Sequence, residues 1–339
     1  MLRDTHVTLA HGGGGTAMRD LIEEVFTDVF TPPGMEDQAR LMEAALQEPG
    51  ARLAFTTDAF VVTPLEFPGG DIGTLAVCGT VNDLAVGGAR PLWLSAAFII
   101  EEGCEVALLH RIVASMAREA AAAGVRIVTG DTKVVGRGAA DGLFIATSGV
   151  GVIAPGRELG ATRLRPGDVI LVSHWLGDHG ATILAARGDL ALEADLQSDC
   201  AGLGHLMADV LAAAPGAKAA RDATRGGLAA VLNEWAGAAD CGIEIEEEAL
   251  PLRDAVRGIC EILGLDPLYL ANEGTLVLAV PEAEAPAALA AMRARPEGQG
   301  AAVIGRVVAG PQGQVRMRTP FGGARIVDML VGEQLPRIC

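Results

Sequence analysis

The chain predicts an α+β protein of two mixed domains, and three observations carry that reading. Its 339 residues exceed what one hydrophobic core usually organises. Strand-like and helix-like segments mingle in both halves without strict alternation, which disfavours a doubly wound sheet. A stretch rich in proline, glycine and arginine, from Ala154-Pro155-Gly156 to Arg165-Pro166-Gly167-Asp168, separates the halves. The expected divisions are a glycine-rich segment and helix over 1–39, a first domain over 40–155, a second over 161–309, and short strands with a mobile tail over 310–339.

Residues 5–10 predict a short strand, followed by His11 and four glycines. An amphipathic helix comes next, with Met18, Leu21, Ile22, Val25, Phe26, Val29 and Phe30 on one face, and Thr31-Pro32-Pro33-Gly34 ends it. First-domain strands are expected near 51–62, 92–100, 125–129 and 142–153, with a helix over 105–123 stopped by Gly124. Between the first two strands, 74–85 is mostly apolar, with Leu75, Val77, Cys78, Val81, Leu84 and Ala85 at helical spacing. Gly87, Gly88 and Pro91 stop that helix. In the second domain, strands at 168–173, 242–247, 275–280 and 301–308 mix with helices near 178–187, 202–214, 228–239, 252–263 and 282–294. Strands at 314–318 and 324–330 close the pattern.

A formal charge of −17 argues against a nucleic-acid surface, which needs clustered Lys and Arg. It is compatible with ATP, whose charge a metal can carry. No apolar stretch is long enough to span a bilayer, and the first residues carry acids and lack the apolar core of a secretion signal. The expectation is a soluble, cytoplasmic protein that engages no membrane. Six cysteines form no CxxC pair, which disfavours a zinc or redox motif. Cys78, Cys104, Cys241 and Cys260 sit among apolar or small neighbours, as inert thiols do. His174, His179 and His205 show no ligand spacing.

Asp71 stands before the apolar run 74–85, Asp83 lies in its last turn, and Asp58 closes the strand-like Arg52-Leu53-Ala54-Phe55-Thr56-Thr57. Carboxylates that bracket apolar elements beside glycines suit a hard cation and a polyphosphate approached by bare backbone amides. The same acids also suit helix caps and turns. His11 and its glycines lie between a strand and a helix like a phosphate loop, although neither GxGxxG nor GxxxxGK[ST] is present. Thr129-Gly130-Asp131-Thr132-Lys133 follows a buried strand, so that an acid and one of only two lysines are expected at a turn. Arg221-Asp222-Ala223-Thr224-Arg225-Gly226-Gly227 opens a helix and either caps it or points an acid and amides at an anion. Cys339 ends the chain. A thiol on a mobile arm can reach into pockets; Arg337 favours its thiolate and the adjacent α-carboxylate opposes it.

Asp83-x4-Gly88-Ala89-x-Pro91, Thr56-Thr57-Asp58 and Gly130-Asp131-Thr132-Lys133 together resemble the ATP-binding superfamily of aminoimidazole ribonucleotide synthetase. Within it, Ala10-His11-Gly12, Pro68-Gly69-Gly70-Asp71-Ile72-Gly73, the run 221–227, Tyr269-Leu270-Ala271-Asn272-Glu273-Gly274 and Pro336-Arg337-Ile338-Cys339 resemble the HypE family of nickel–iron hydrogenase maturation factors. The resemblance spans nearly the whole chain. Gly13 stands where that family usually has serine, Val86-Gly87 where it has two methionines, and His174 where it often has glycine.

The resemblance implies two mixed α/β domains of the synthetase type, a homodimer through the first domains, and a dehydration driven by ATP with magnesium. In that chemistry a carbamoyl group placed on Cys339 by the carbamoyltransferase HypF becomes a thiocyanate. Its cyanide then passes to iron on the HypC–HypD complex. The resemblance also implies Asp58, Asp71, Asp83 and Asp222 as magnesium ligands, and Thr57, Asn82, Asp131, Thr132 and His11 as nucleotide contacts. Lys133 is expected to steady the developing negative oxygen or, where burial eases loss of its proton, to act as a base, and Glu273 is the other candidate base.

Overall fold

A computed structural model describes residues 4–32, 38–188 and 195–330; the tail with Cys339 lies outside the described residues. The first half forms a sheet of four strands, β1 (Arg52–Phe60), β2 (Ala89–Glu101), β3 (Arg126–Val135) and β4 (Leu143–Ile153), in the order β1-β4-β2-β3. Strands β2 and β3 run parallel, whereas β4 is antiparallel to both β1 and β2. Helices α1 (Ile72–Val86) and α2 (Val106–Ala123) cover one face, over Phe60, Phe98 and Ile145. The pleat turns alternate side chains outward and leaves Leu53, Phe55 and Ile99 exposed on the other face.

The second half contains β5 (Val169–Val172), β6 (Ala219–Asp222), β7 (Gly242–Glu246), β8 (Leu276–Val280), β9 (Ala302–Val308), β10 (Val315–Arg318) and β11 (Ala324–Ile326). They form one sheet in the order β11-β10-β7-β9-β5-β8-β6. Every residue of β5 and β8 is buried, which is why both read as unbroken apolar runs. With α3 (Asp178–Ala186) and α4 (Gly204–Ala213) preceding α5 (Gly227–Ala239), Ile170, Val172, Val277 and Ala279 face a core completed by α5, whereas Val169, Leu171, Leu276 and Leu278 face one completed by α4 and the helix Ala285–Arg293.

Helix α1 ties the halves together. Every residue in it except Asp83 is buried, the condition of a helix apolar all round. Ile72, Leu75 and Val81 belong to the first core, whereas Ala85 and Val86 enter one of the second half's cores. A side chain at Gly73 would press on the Ile112 carbonyl and Ser115 hydroxyl, so glycine there permits the close approach to α2. Asp71 caps α1: its Oδ1 accepts the Thr74 N–H at 2.8 Å and the Ser115 hydroxyl at 2.6 Å. Asn82 donates to the Ala201 and Glu273 carbonyls at 3.0 and 3.3 Å, and accepts the Leu203 N–H at 2.7 Å.

Several elements depart from expectation. The strand at 5–10 reduces to a bridge between His6 and Glu105, followed by a 3-10 turn over Leu9–Gly12. The amphipathic helix runs over Thr16–Leu21, widens into π-type turns over Ile22–Thr27 and ends with Asp28–Phe30. Its apolar stripe survives, with Phe26 packed 4.7 Å from the Phe98 ring. Strand β3 continues through the Gly-Asp-Thr-Lys motif, because its parallel partner β2 extends until Glu101 faces Val135. The motif therefore lies in a strand, not at a turn. Strand β6 has no apolar alternation to announce it and pairs only with β8. No helix of the described residues is long and apolar enough to cross a membrane.

Candidate active site

Adjacent residues of β1 point to opposite faces, so Thr56 and Asp58 turn towards α1 while Thr57 turns outward and is exposed. Asp83, the one partly exposed residue of α1, accepts the Thr56 hydroxyl at 2.6 Å. From the second half come Asp222, the last residue of β6, and Glu273, on the loop leading into β8; both are buried. Burial, and then the charge of Asp83, pushes the Asp58 carboxyl above its ordinary range. The same two causes raise Asp222 to about 7. Glu273 is raised well above the usual carboxylate range by burial, and further by Asp199, Asp222 and Asp58. Arg225 partly offsets Asp58 and Glu273.

This cluster draws acids from both halves and leaves their repulsion largely unrelieved. Hard oxygen donors whose negative charge exceeds the positive charge nearby suit magnesium, which usually takes one or two carboxylates and fills its remaining positions with water and phosphate oxygens. Among the described residues no group of three or more His, Cys, Asp or Glu side chains is placed to hold a metal ion by itself.

The loop bearing Glu273 is held by groups with no signal in the sequence. Asp199 accepts the Glu273 N–H at 2.9 Å through Oδ1, and the Gly274 N–H at 3.0 Å and Thr275 hydroxyl at 2.8 Å through Oδ2. Any side chain at Gly274 would overlap the Asp199 carbonyl, so only glycine fits. Asn272 accepts the Gly177 N–H at 2.7 Å and donates to the Ala223 carbonyl at 2.9 Å, which ties this loop to the end of β6.

The remaining candidates form a second group along β3 and the outer face. Asp131 and Lys133 are exposed there, and Asp131 accepts the Thr132 N–H at 2.9 Å. Thr132 is buried with its hydroxyl unpartnered among the described residues. A cavity of about 540 Å³ opens beside it, lined in part by Phe26, Phe30, Phe98, Gly130 and Asp131. His11 is fully buried, and its Nδ1 accepts the Thr8 N–H at 3.0 Å. That donation leaves the ring proton on Nε2, 3.5 Å from an Asp4 carboxylate oxygen. Gly12 lies against Val134, which seats this turn on β3.

Three of the expected site residues have other engagements in the single chain. Asn82 is a buried clasp whose carboxamide bonds to backbone groups of the second half. Asp71 serves as the cap of α1, and its Oδ1 is taken. Lys133 is exposed on the outer sheet face of the single chain, beside Ile99 in the register of β2 and β3. Burial pushes the Cys104 and Cys260 thiols up to about 11, which disfavours their thiolates.

Comparison with known proteins places this geometry among relatives. The family models for the N-terminal and C-terminal domains of AIR synthase related proteins match residues 36–153 and 165–318. The chain is 81% identical to the carbamoyl dehydratase HypE of Rhodobacter capsulatus, over 100% of this chain and 99% of that protein. It is 53% identical to carbamoyl dehydratase HypE of Escherichia coli K12, over 98% and 99% of the two chains. A crystal structure of the hydrogenase maturation protein HypE in complex with ATP superposes with a TM-score of 0.92 at 48% identity, covering 98% of this chain and 99% of that one. HypE from a HypE–HypF complex superposes with a TM-score of 0.80 at 46% identity, covering 91% and 99%.

The raised Asp222 carboxyl has a consequence for stability. Its folded value lies above its unfolded one, so its contribution is fully present below about pH 4 and is lost as pH rises through about 7. Asp222→Asn removes that loss. Thermal melts without nucleotide are expected to match at pH 4 and to show the variant as the more stable protein at pH 8. Equal melting at pH 8 would contradict the placement of Asp222 in a surplus of negative charge.

Proposed function

The chain belongs to the AIR synthase related family and, within it, to the carbamoyl dehydratases HypE, and from that premise we propose how its residues carry out ATP-dependent dehydration of an S-carbamoyl group on Cys339 to a thiocyanate. The activity supplies cyanide for nickel–iron hydrogenase maturation. The observation that carries this assignment is the acid cluster at the junction, with Glu273 buried beside Asp222 and Asp58.

Asp58, Asp83 and Asp222 would hold magnesium together with phosphate oxygens and water, and the ion would spread the charge of the phosphates. An amide oxygen is a poor leaving group; transfer of a phosphoryl group onto it makes it phosphate, which departs as nitrogen gives up its protons. Glu273 takes such a proton; burial raises its proton affinity well above that of an ordinary carboxylate. Lys133, on the outer face, is the alternative base. Asp199 fixes the Glu273 backbone. His11, Asp131 and Thr132, at β3, and Thr57, on the outer face of β1, are the proposed nucleotide contacts. Carrying the reactant on the chain's own tail makes the step intramolecular, an advantage of up to about 7–11 kcal/mol in well-oriented systems.

HypF loads Cys339, the HypC–HypD complex receives the cyanide, and the exchange takes place in the cytoplasm. The outer sheet face supports a homodimer: Leu53 and Phe55 are 62% and 71% exposed on β1, and Ile99 is 42% exposed on β2. Apolar groups gathered on one side of a sheet mark an interface.

Incubation with HypF, carbamoyl phosphate, ATP and magnesium should add a carbamoyl group to the C-terminal peptide and then remove one water from it, as read by mass spectrometry. Cys339→Ala should abolish both adducts and leave ATP binding intact. A cyano product that still forms in that variant would identify a small-molecule enzyme of the same superfamily, and a carbamoyl adduct that never loses water would identify a carrier. For the dimer, Phe55→Glu should shift the chain to monomer in analytical ultracentrifugation, and an unchanged dimer would rule out this face.

A further inference from the structure

Arg225 stands at the rim of the acid cluster without a structural partner. It lies on the turn between β6 and α5, three residues beyond Asp222, and is exposed. That turn is rigidly built. The Ala223 N–H donates to the Thr275 carbonyl at 2.9 Å, and both the backbone N–H and the side-chain amide of Asn272 return to the Ala223 carbonyl, at 3.0 and 2.9 Å. Gly226 and Gly227 adopt φ of 77° and 58°, conformations that favour glycine. A Cβ on Gly227 would lie 2.5 Å from the carbonyl oxygens of Leu268 and Leu270. The turn carrying Arg225 and the loop carrying Glu273 are therefore one unit.

Two arginines near this turn are tied down, although Arg257 and Arg306 elsewhere in this half, like Arg225, make no side-chain ion pair or hydrogen bond among the described residues. Arg221 pairs with Glu234, and Arg253 pairs with Asp178 at 2.8 Å while lying over the Trp175 ring. Arg225 makes no ion pair or hydrogen bond among the described residues, although Asp58 of the first half and Glu273 of the second both feel its charge. A guanidinium beside several carboxylates that bonds to none of them keeps its whole fork of N–H donors for another anion. The geometry of that fork matches phosphate oxygens in pairs.

We propose that Arg225 is a catalytic residue that binds the phosphoryl group while it moves from ATP to the carbamoyl oxygen and leaves as phosphate. The inference rests on the dehydratase reading above. In the first step the carbamoyl oxygen bonds to the γ-phosphorus, the bond to the β,γ-bridging oxygen breaks with its electron pair going to ADP, and one N–H proton is lost. In the second, the remaining N–H proton is lost, nitrogen completes the triple bond to carbon, and the carbon–oxygen bond breaks with its pair going to phosphate. Carbamoyl thioester and ATP thus become thiocyanate, ADP and phosphate, with both amide protons released. Arg225 donates to the same phosphoryl oxygens in both steps and gives them up when phosphate departs.

The test uses the full chain, carbamoylated on Cys339, as wild type, Arg225→Lys and Arg225→Ala. Thiocyanate and ADP formation are followed with ATP and magnesium, and ADP affinity is measured separately. Arg225→Ala should lower turnover roughly 10²–10³-fold, the loss typical of one preorganised donor to a developing oxyanion, and leave ADP affinity and melting temperature near wild type. Arg225→Lys should recover part of the rate, and added guanidinium ion should partly restore Arg225→Ala. Turnover of Arg225→Ala within about twofold of wild type would overturn the proposal, as would a parallel fall in ADP affinity and heat stability, which marks a structural residue. A wild-type chain that forms no thiocyanate overturns the parent reading and this one together; normal turnover in both wild type and Arg225→Ala overturns this one alone.

Discussion

Like charges gathered where water is scarce are the constraint on which the rest of the molecule depends. Asp58 and Asp83 come from one half and Asp222 and Glu273 from the other, and the chain supplies too little positive charge to balance them. Burying unpaired charge opposes folding. The fold sustains it because the junction is over-determined by other contacts. Helix α1 is packed on every side, Asn82 clasps the backbone of the second half, and Asp199 locks the Glu273 loop through three hydrogen bonds. Repulsion stored in such a rigid frame is available to a cation and the polyphosphate it accompanies. This is the usual relation between stability and activity, in which a site is less comfortable empty than occupied.

The pleat of one strand decides how the candidate residues divide. Thr57 and Asp58 are neighbours in sequence and stand on opposite faces of the sheet. The acids meet α1 and the second half, whereas Asp131 and Lys133 share the outer face with Phe55 and Ile99. The outer side combines an apolar surface suited to a second copy with polar groups along β3.

Much of this was legible in the chain because it rests on local physics. The apolar run that became α1, the acids at its two ends and the period of the first-half strands are all short-range signals. The motif residues of the site could be named for the same reason. What escaped depends on distant partners. Strand β6 is short and flanked by small residues, and exists because β8 offers it a ladder. Asp199 gives no sign of importance, since the groups it holds lie more than seventy positions later. Asn82 reads as one polar residue in an apolar helix until the second half closes over it, and β3 outruns its apolar core only because β2 continues alongside.

The most direct measurement is a crystal structure of the chain with magnesium and a non-hydrolysable ATP analogue. The expected result is a magnesium ion held by oxygens of Asp58, Asp83 and Asp222 together with the triphosphate, with Glu273 beside them. A triphosphate and metal bound elsewhere, with those three carboxylates left unliganded, would contradict the central claim.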